Sequence, residues 1–322
     1  MSQPLVSVLV ITYNQARYIT ETVESAASQD YDALEVIVAD DGSTDETPEV
    51  LAGLERKYPG RVLLAHGPNQ GIPRNFNRGL AKVRGDLVAI LGGDDLFLPG
   101  KVKKQVEWFA ADARRVLCGH DAYTFDSDSG KKLRRYTDLS GWTSGGEGPE
   151  VFIAQRCQYF PSSIMMRRSA MPARGFDVRI STCADEKMFI ECLYGGGSWG
   201  HLPEVLGMYR RHSHNITSLS GDRVFADLFV ILGLIEAEQP QYFTACRRGR
   251  ARLHIRSGLD ALHAGKVDDA RSHLLNALRT CPEYSWKLVA WLGLTWSPRR
   301  LSAALLEWLE RRAVGVGQEE AD

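Results

Sequence analysis

The chain has no C-x-x-C pair, no long apolar run and no excess of charge of either sign, and each absence closes a class of function. Six cysteines, Cys118, Cys157, Cys183, Cys192, Cys246 and Cys281, are scattered through 322 residues without metal-finger spacing. That speaks against a zinc module or a disulfide scaffold and fits reduced thiols in a cytosolic protein. Lysine and arginine number 39 against 40 aspartate and glutamate, so no global field exists to hold nucleic acid. The first apolar run has no basic region before it and breaks at Thr12-Tyr13-Asn14, too soon for a secretory signal, and no later run is long enough to span a bilayer. No G-x-G-x-x-G follows that run, and the loop Thr12-Tyr13-Asn14-Gln15 is neither glycine-rich nor basic, which argues against a dinucleotide oxidoreductase and a nucleotidyltransferase.

What is present is a rhythm. Apolar runs rich in β-branched residues, Leu5 to Ile11, Glu35 to Ala39, Val62 to Ala65 and Leu87 to Leu91, alternate with stretches of helical spacing near Ala16 to Ser28, Thr47 to Lys57, Asn75 to Val83 and Pro99 to Ala111. Short strands without alternation, separated by helices, predict a parallel α/β sheet covered on both faces. The length predicts two domains. Residues 118–180 lose the rhythm, with Gly- and Ser-rich stretches such as Ser140 to Gly148, and read as loops, short strands and an insertion facing a second substrate. From about Val224 the chain turns helical, and Gly258 to Pro282 resembles one tetratricopeptide-type hairpin, which cannot bury its own face alone.

In such sheets ligands sit at the carboxyl ends of the strands. Two acidic clusters fall there, Asp40-Asp41-Gly42-Ser43-Thr44-Asp45 after the second run and Gly92-Gly93-Asp94-Asp95 after the fourth. A carboxylate at Asp41 or Asp40 can accept the imide N–H of uracil or thymine, or bind the N–H groups of guanine; the competing role is to cap the helix at Thr47, with Ser43 or Asp45 as N-cap. Adjacent carboxylates after a buried strand are costly unless a cation or solvent separates their charges, so Asp94 and Asp95 point to a site for Mg²⁺ or Mn²⁺, against the plainer reading of a polar turn before Pro99.

Val8 to Asn14, Ser25, Gln29, Glu35 to Asp45, Asn69-Gln70-Gly71, Asn77, Gly79 and Gly85-Asp86 to Pro99 together resemble the family 2 glycosyltransferases of GT-A fold, over roughly residues 5–215. The resemblance implies a GT-A type nucleotide-binding domain with a mixed, mostly parallel sheet over 1–220 and a helical C-terminal subdomain over 221–322. Within the first, 1–117 is the nucleotide-sugar half and 118–220 the acceptor half. It implies that Thr12 and Asp41 line the nucleoside pocket, among Tyr13, Asn14, Asp40, Asn69 and Asn77. It further implies that Asp94 lies near the ribose and the metal, and that Asp95 binds Mg²⁺ or Mn²⁺. An acidic residue opening a helix after the insertion is the family's base. Ala184-Asp185-Glu186-Lys187-Met188-Phe189 resembles that element, with Asp185 matching the base and Glu186 the competitor. Both acids also suit a helix N-terminus without chemistry. Tyr209 to Asn215 resembles a segment that closes over the donor, where Arg210 would meet the diphosphate and His212 the metal; Arg211 and His214 read as surface residues. Phe76 departs from the arginine often found there, and Arg74 is the candidate replacement.

The implied activity is an inverting single displacement from a nucleoside-diphosphate sugar, UDP- or dTDP-linked ahead of GDP-linked, to the hydroxyl of a glycan, a lipid-linked or a small-molecule acceptor, in bacterial surface glycan synthesis. The chain lacks the Gln-x-x-Arg-Trp signature of processive synthases. The alternative is a non-catalytic nucleotide-sugar or partner-binding module with a degenerate transferase fold. Trp286, Trp291, Trp296 and Trp308 stand among basic residues of the tail, which suits either ordinary helix packing or peripheral contact with the inner face of a membrane. A homodimer is left open.

Overall fold

The computed structural model describes residues 3–136, 145–155, 159–213, 215 and 221–284. Most of the Gly/Ser stretch before Gly145, together with His214 and the four tail tryptophans, lies outside the described residues.

The first compact unit comprises Met1–Pro149 and Cys157–Asp227. It opens with β1 (Val6–Thr12), α1 (Ala16–Ala27), β2 (Leu34–Asp40), α2 (Thr47–Lys57), β3 (Val62–His66), α3 (Ile72–Leu80) and β4 (Leu87–Gly92). Strands β3, β2, β1 and β4 lie side by side in that order, all parallel. Every residue of β2 is buried, as the non-alternating apolar run requires of a strand covered on both faces. Helix α1 buries Ile19, Val23, Ala26 and Ala27 at helical spacing against this sheet. Register aligns the strand ends: Thr12 lies opposite Asp40, and Ile11 opposite Gly92. The polar turns after three strands therefore emerge on one edge.

The sheet continues with β5 (Leu96–Phe97), α4 (Lys101–Ala110), β6 (Arg115–Asp126), β7 (Lys132–Arg135), β8 (Gly145–Glu147), β9 (Met165–Arg167), α6 (Ala184–Cys192) and β10 (Ser198–Arg211). Strand β9 wedges antiparallel between β4 and β6, while β10 runs parallel to β6. The mixed, mostly parallel sheet expected from the sequence is the one observed.

The second unit comprises Glu150–Arg156 and Leu228–Asp322. Its elements are α5 (Glu150–Gln155), α8 (Phe243–His263), α9 (Val267–Thr280) and the later part of α7 (Gly221–Glu238). Helices α8 and α9 form the predicted hairpin, with Leu253, Ala270 and Leu274 buried. Residues 150–156, expected within the acceptor half, group with the helices instead. Phe152 and Ile153 are buried as α5 packs on α8, so closely that a Cβ on Gly249 would stand 2.3 Å from the Ile153 carbonyl oxygen. No helix among the described residues is long and apolar enough to cross a membrane.

Candidate functional site

The turns after β1 and β2 are laced by side-chain to backbone hydrogen bonds. The Asp41 N–H donates to the Thr12 carbonyl at 3.0 Å. Asn14 takes the left-handed conformation (φ 52°), which Asn tolerates better than most residues. Its N–H donates to Ser43 Oγ at 2.8 Å, and its Oδ1 accepts the Thr44 N–H at 2.7 Å. Asp45 accepts the N–H groups of Thr47 (3.0 Å) and Ala16 (3.1 Å), so one carboxylate serves the first turns of α2 and α1 together. Asp40 is turned onto Ser43 within its own loop.

Asp41 has a longer reach. Its Oδ1 accepts the Gln70 N–H at 3.0 Å and its Oδ2 the Gly71 N–H at 2.8 Å, at the start of α3. The loops approach so closely that a Cβ on Gly42, itself at φ +71°, would stand 2.8 Å from the Asn69 nitrogen. Arg78 closes the assembly: its guanidinium donates to the carbonyls of Asp40 (3.0 Å) and Pro68 (2.7 Å) and to Asn75 Oδ1 (2.9 Å), and it stands 3.4 Å from Asp41 Oδ1.

Thr12, Asn14, Asp40 and Asp41 thus come together, beside an exposed Tyr13. Three other candidates do not join this network through their side chains. Arg74 is exposed, and the arginine beside Asp41 is Arg78, one turn later. Asn69 is exposed and contributes backbone packing. Asn77 is turned the other way: its amide donates to the Phe176 carbonyl at 2.8 Å and accepts the Phe176 N–H at 2.7 Å. Phe76, where the family often has arginine, stacks on Phe176 with centroids 4.1 Å apart.

The acidic turn after β4 separates two carboxylates by environment. Asp95 is 4% exposed; its Oδ2 accepts the Ser162 hydroxyl at 2.6 Å and its Oδ1 the Arg210 N–H at 3.1 Å. Burial, reinforced by the charge of Asp94, pushes its carboxyl well above the usual carboxylate range. Asp94 instead meets His212 Nε2 at 2.9 Å and Asn215 Nδ2 at 3.4 Å through Oδ2. His212 is held by stacking on Tyr18, centroids 5.0 Å apart, and by its N–H donating to Asn215 Oδ1 at 2.6 Å.

Arg210 is held within the turn. Its guanidinium is clamped between the rings of Tyr18 (4.9 Å) and Phe125 (4.6 Å), donating to the Asp94 carbonyl at 2.7 Å and to Glu21 at 2.6 Å. It braces the acidic turn from beneath. The predicted trio Asp94, Asp95 and His212 is likewise redistributed. Among the described residues no three His, Cys, Asp or Glu side chains group to hold a metal ion. Asp94 and His212 pair, whereas Asp95 is spent on Ser162 and Arg210 behind them. The donor set still suits Mg²⁺ or Mn²⁺: a carboxylate oxygen and an imidazole nitrogen in contact, above a second carboxylate whose repulsion a cation would offset.

Asp185 and Glu186 occupy the first turn of α6, the former half-buried and the latter buried. Asp185 Oδ1 accepts the Glu186 N–H at 3.0 Å. Helix α6 packs on α3 and β6. Below its first turn Lys187, wholly buried, stands 3.1 Å from Asp177 and pairs with Glu191. Hydrogen bonds from Arg179, with Lys187 adding to them, hold the Asp177 carboxyl well below its ordinary range.

The sequence reading missed Arg78, Ser162, Glu21 and the amide of Asn215. Only Asn215 carried a signal, as the end of the Tyr209-to-Asn215 stretch. The other three are joined to their partners by tertiary packing.

Residues 7–172 match the family model described as Glycosyl transferase family 2. An uncharacterised protein of Mycobacterium tuberculosis is 30% identical over 215 residues, 65% of this chain and 60% of that protein. The chain thus spans well under two thirds of that relative's length. The putative glycosyltransferase EpsH of Bacillus subtilis is 26% identical over 231 residues, covering 70% of this chain and 66% of EpsH. Among solved structures, S. aureus TarS 1-349 in complex with UDP-GlcNAc superposes with a TM-score of 0.65 at 16% identity, over 97% of this chain and 88% of that one. The mannosyltransferase PcManGT of Pyrobaculum calidifontis, in complex with GDP-Man and Mn²⁺, gives 0.63 at 20% identity, over 99% and 88%. The fold is of the GT-A type.

Proposed function

We propose that this chain, which belongs to glycosyl transferase family 2, transfers a sugar from a nucleoside-diphosphate sugar to an acceptor hydroxyl with inversion at the anomeric carbon. The observation that carries the reading is the convergence of two dissimilar polar sites on adjoining strand ends. The Asp41–Arg78 assembly after β2 suits a nucleobase, and the Asp94–His212 pair after β4 suits the diphosphate end. About four lone-pair sites on the Asp41 carboxylate leave acceptor capacity beyond the two backbone N–H groups and the Arg78 guanidinium that it already meets.

Asp185, with Glu186 as the competing residue, is assigned as the base that takes the proton of the acceptor hydroxyl while the acceptor oxygen displaces the diphosphate in one step. Asp94 and His212, with Asp95 beneath them, would hold Mg²⁺ or Mn²⁺, which when bound neutralises the charge developing on the leaving diphosphate. Arg210 keeps the turn in place. No protein nucleophile is needed. UDP- and dTDP-sugars are assigned ahead of GDP-sugars, and relatives of the same fold solved with UDP-GlcNAc and with GDP-Man and Mn²⁺ support a donor of this class. The acceptor belongs to the chemistry of a glycan, a lipid-linked or a small-molecule hydroxyl in bacterial surface glycan synthesis. A cytoplasmic location, at the inner membrane face for a lipid-linked acceptor, goes with it.

The test is calorimetry and thermal shift against UDP, dTDP, GDP and CDP with and without Mn²⁺. A nucleotide that binds only the folded chain stabilises it by about 2.7 kcal/mol at a hundredfold excess over Kd. Metal-dependent stabilisation by one nucleotide supports the donor site. No response to any of the four sinks it and moves the assignment to a partner-binding module.

A further inference from the structure

Helix α6 lacks a cap of its own. Its entry residues are Cys183 and Ala184, and no side chain at the N-cap bonds the first turn. What is held is the segment entering the helix, and the group that holds it is Asp227 on α7, 45 residues beyond Thr182. The Asp227 carboxylate is 7% exposed and faces the segment entering α6. It accepts the N–H groups of Thr182 (2.5 Å), Cys183 (3.2 Å) and Ser181 (3.3 Å), and the Ser181 hydroxyl at 3.1 Å. A carboxylate offers about four lone-pair sites, so these donors saturate it. An ordinary cap uses one side chain at the helix start and fixes little beyond its own turn. A remote anion gripping three successive residues fixes the direction and rotation of the turn that follows, the turn bearing Asp185 and Glu186. The helix is also tied by Lys187 to Asp177, whose neighbour Phe176 is clasped by Asn77 of α3.

We infer that Asp227 is the positioning residue for the general base: it sets the first turn of α6 so that the acidic side chain there meets the acceptor oxygen. The inference rests on the assignment of Asp185 made above. It assigns Asp227 no contact with donor or acceptor, so the expected defect lies in turnover and leaves donor affinity alone.

The experiment uses the full chain, with UDP-GlcNAc and GDP-Man as donors, Mn²⁺ present and water as the acceptor. It reads nucleotide release and, by calorimetry, nucleotide affinity. Asp227→Asn keeps the shape but loses the charge and turns an amide N–H toward backbone N–H groups. It is expected to lower kcat about tenfold or more, as small misplacements of catalytic groups do, with donor KM and nucleotide Kd unchanged. Ser181→Ala removes one donor from an exposed position and should shift kcat in the same direction by a smaller factor, which keeps the test alive should Asp227→Asn fold poorly. In an Asp185→Asn background the Asp227→Asn change should add nothing, because a residue acting through the base has no effect once the base is gone. Equal loss in both backgrounds, or a parallel loss of nucleotide affinity, overturns the inference while leaving the base assignment standing. Wild-type turnover in Asp185→Asn overturns the base assignment, and this inference with it.

Discussion

Asp95→Asn should make the protein more stable and less able to bind its donor. Asp95 is buried beside a second carboxylate, and burial followed by the Asp94 charge raises its carboxyl well above the ordinary range. An asparagine there can keep both contacts: Oδ1 accepts the Arg210 N–H, and Nδ2 donates to Ser162 Oγ, which already accepts the Gly92 N–H and retains a lone pair, while the Ser162 hydroxyl proton turns to another acceptor. What is lost is one buried negative charge. Relief of this kind at a functional site is worth about 1–2 kcal/mol. At this chain length that raises the thermal midpoint by about 1.5–3 °C. The sign with pH follows from linkage. The folded state holds the Asp95 proton more tightly than the unfolded chain, so the wild type loses stability as pH rises through the carboxylate range toward the raised value. The variant does not, and its advantage should vanish at acid pH. The same charge lies under Asp94 and His212, and outer-shell partners of a metal site are worth about 10- to 100-fold in metal affinity. Thermal denaturation in EDTA at pH 5 and 7.5, paired with Mn²⁺-dependent UDP calorimetry, checks both halves. A destabilised variant, or one that binds UDP and Mn²⁺ like the wild type, refutes the placement of Asp95 as a strained brace beneath the proposed cation site.

Lys101 is wholly buried, donating to Gln105 Oε1 at 2.7 Å, and burial pushes its ammonium down to about 7. The unfolded chain therefore binds a proton that the folded one lacks between about pH 7 and 10, and wild-type stability in urea should rise by about 2.5 kcal/mol from pH 7.5 to 9.5. Lys101→Met should abolish that rise and, after the cost of stranding Gln105 Oε1, gain about 1–3 kcal/mol at pH 7.5; equal slopes in the two proteins would place the lysine in water. Arg78→Met removes the tie between the Asp41 turn and the 68–71 loop and should weaken nucleotide binding about tenfold by calorimetry, while Arg74→Met leaves it unchanged. Asp185→Asn should lower transfer about 100-fold or more with donor affinity intact, and Glu186→Gln should do far less; the reverse order in a turnover assay assigns the base to Glu186.

Strands β1 to β4 were legible to within a residue because each is a β-branched run bounded by a turn, and α2 begins and ends where its spacing does. Strand β10 was not legible. Its 14 residues include Pro203, Gly200 and Gly207, they show no alternation, and their partner β6 lies about 80 residues earlier with register breaks near Leu202 and Val205. Such irregular pairing leaves no periodic trace in a single sequence. That residues 150–156 group with the second unit was not legible for a related reason: an apolar pair at Phe152 and Ile153 says that a face is buried, and nothing local says by what.

The acidic residues show where sequence reading stops. Asp40, Asp41, Asp45, Asp94 and Asp95 look alike as strand-end carboxylates, yet the donors brought to each by tertiary packing divide them into a local turn, a clasp on α3, a shared cap for two helices, a partner of His212 and a buried brace. Identity is in the sequence, but role follows from which N–H or O–H groups lie within hydrogen-bonding distance, and those come from residues as distant as Ser162 and Arg210. The strand-end position of an acid can therefore nominate it for ligand binding. The donors already held then sort the five: Asp40, Asp45 and Asp95 are spent on loops and helix starts, whereas Asp41 and Asp94 are the two on which the proposed donor site draws.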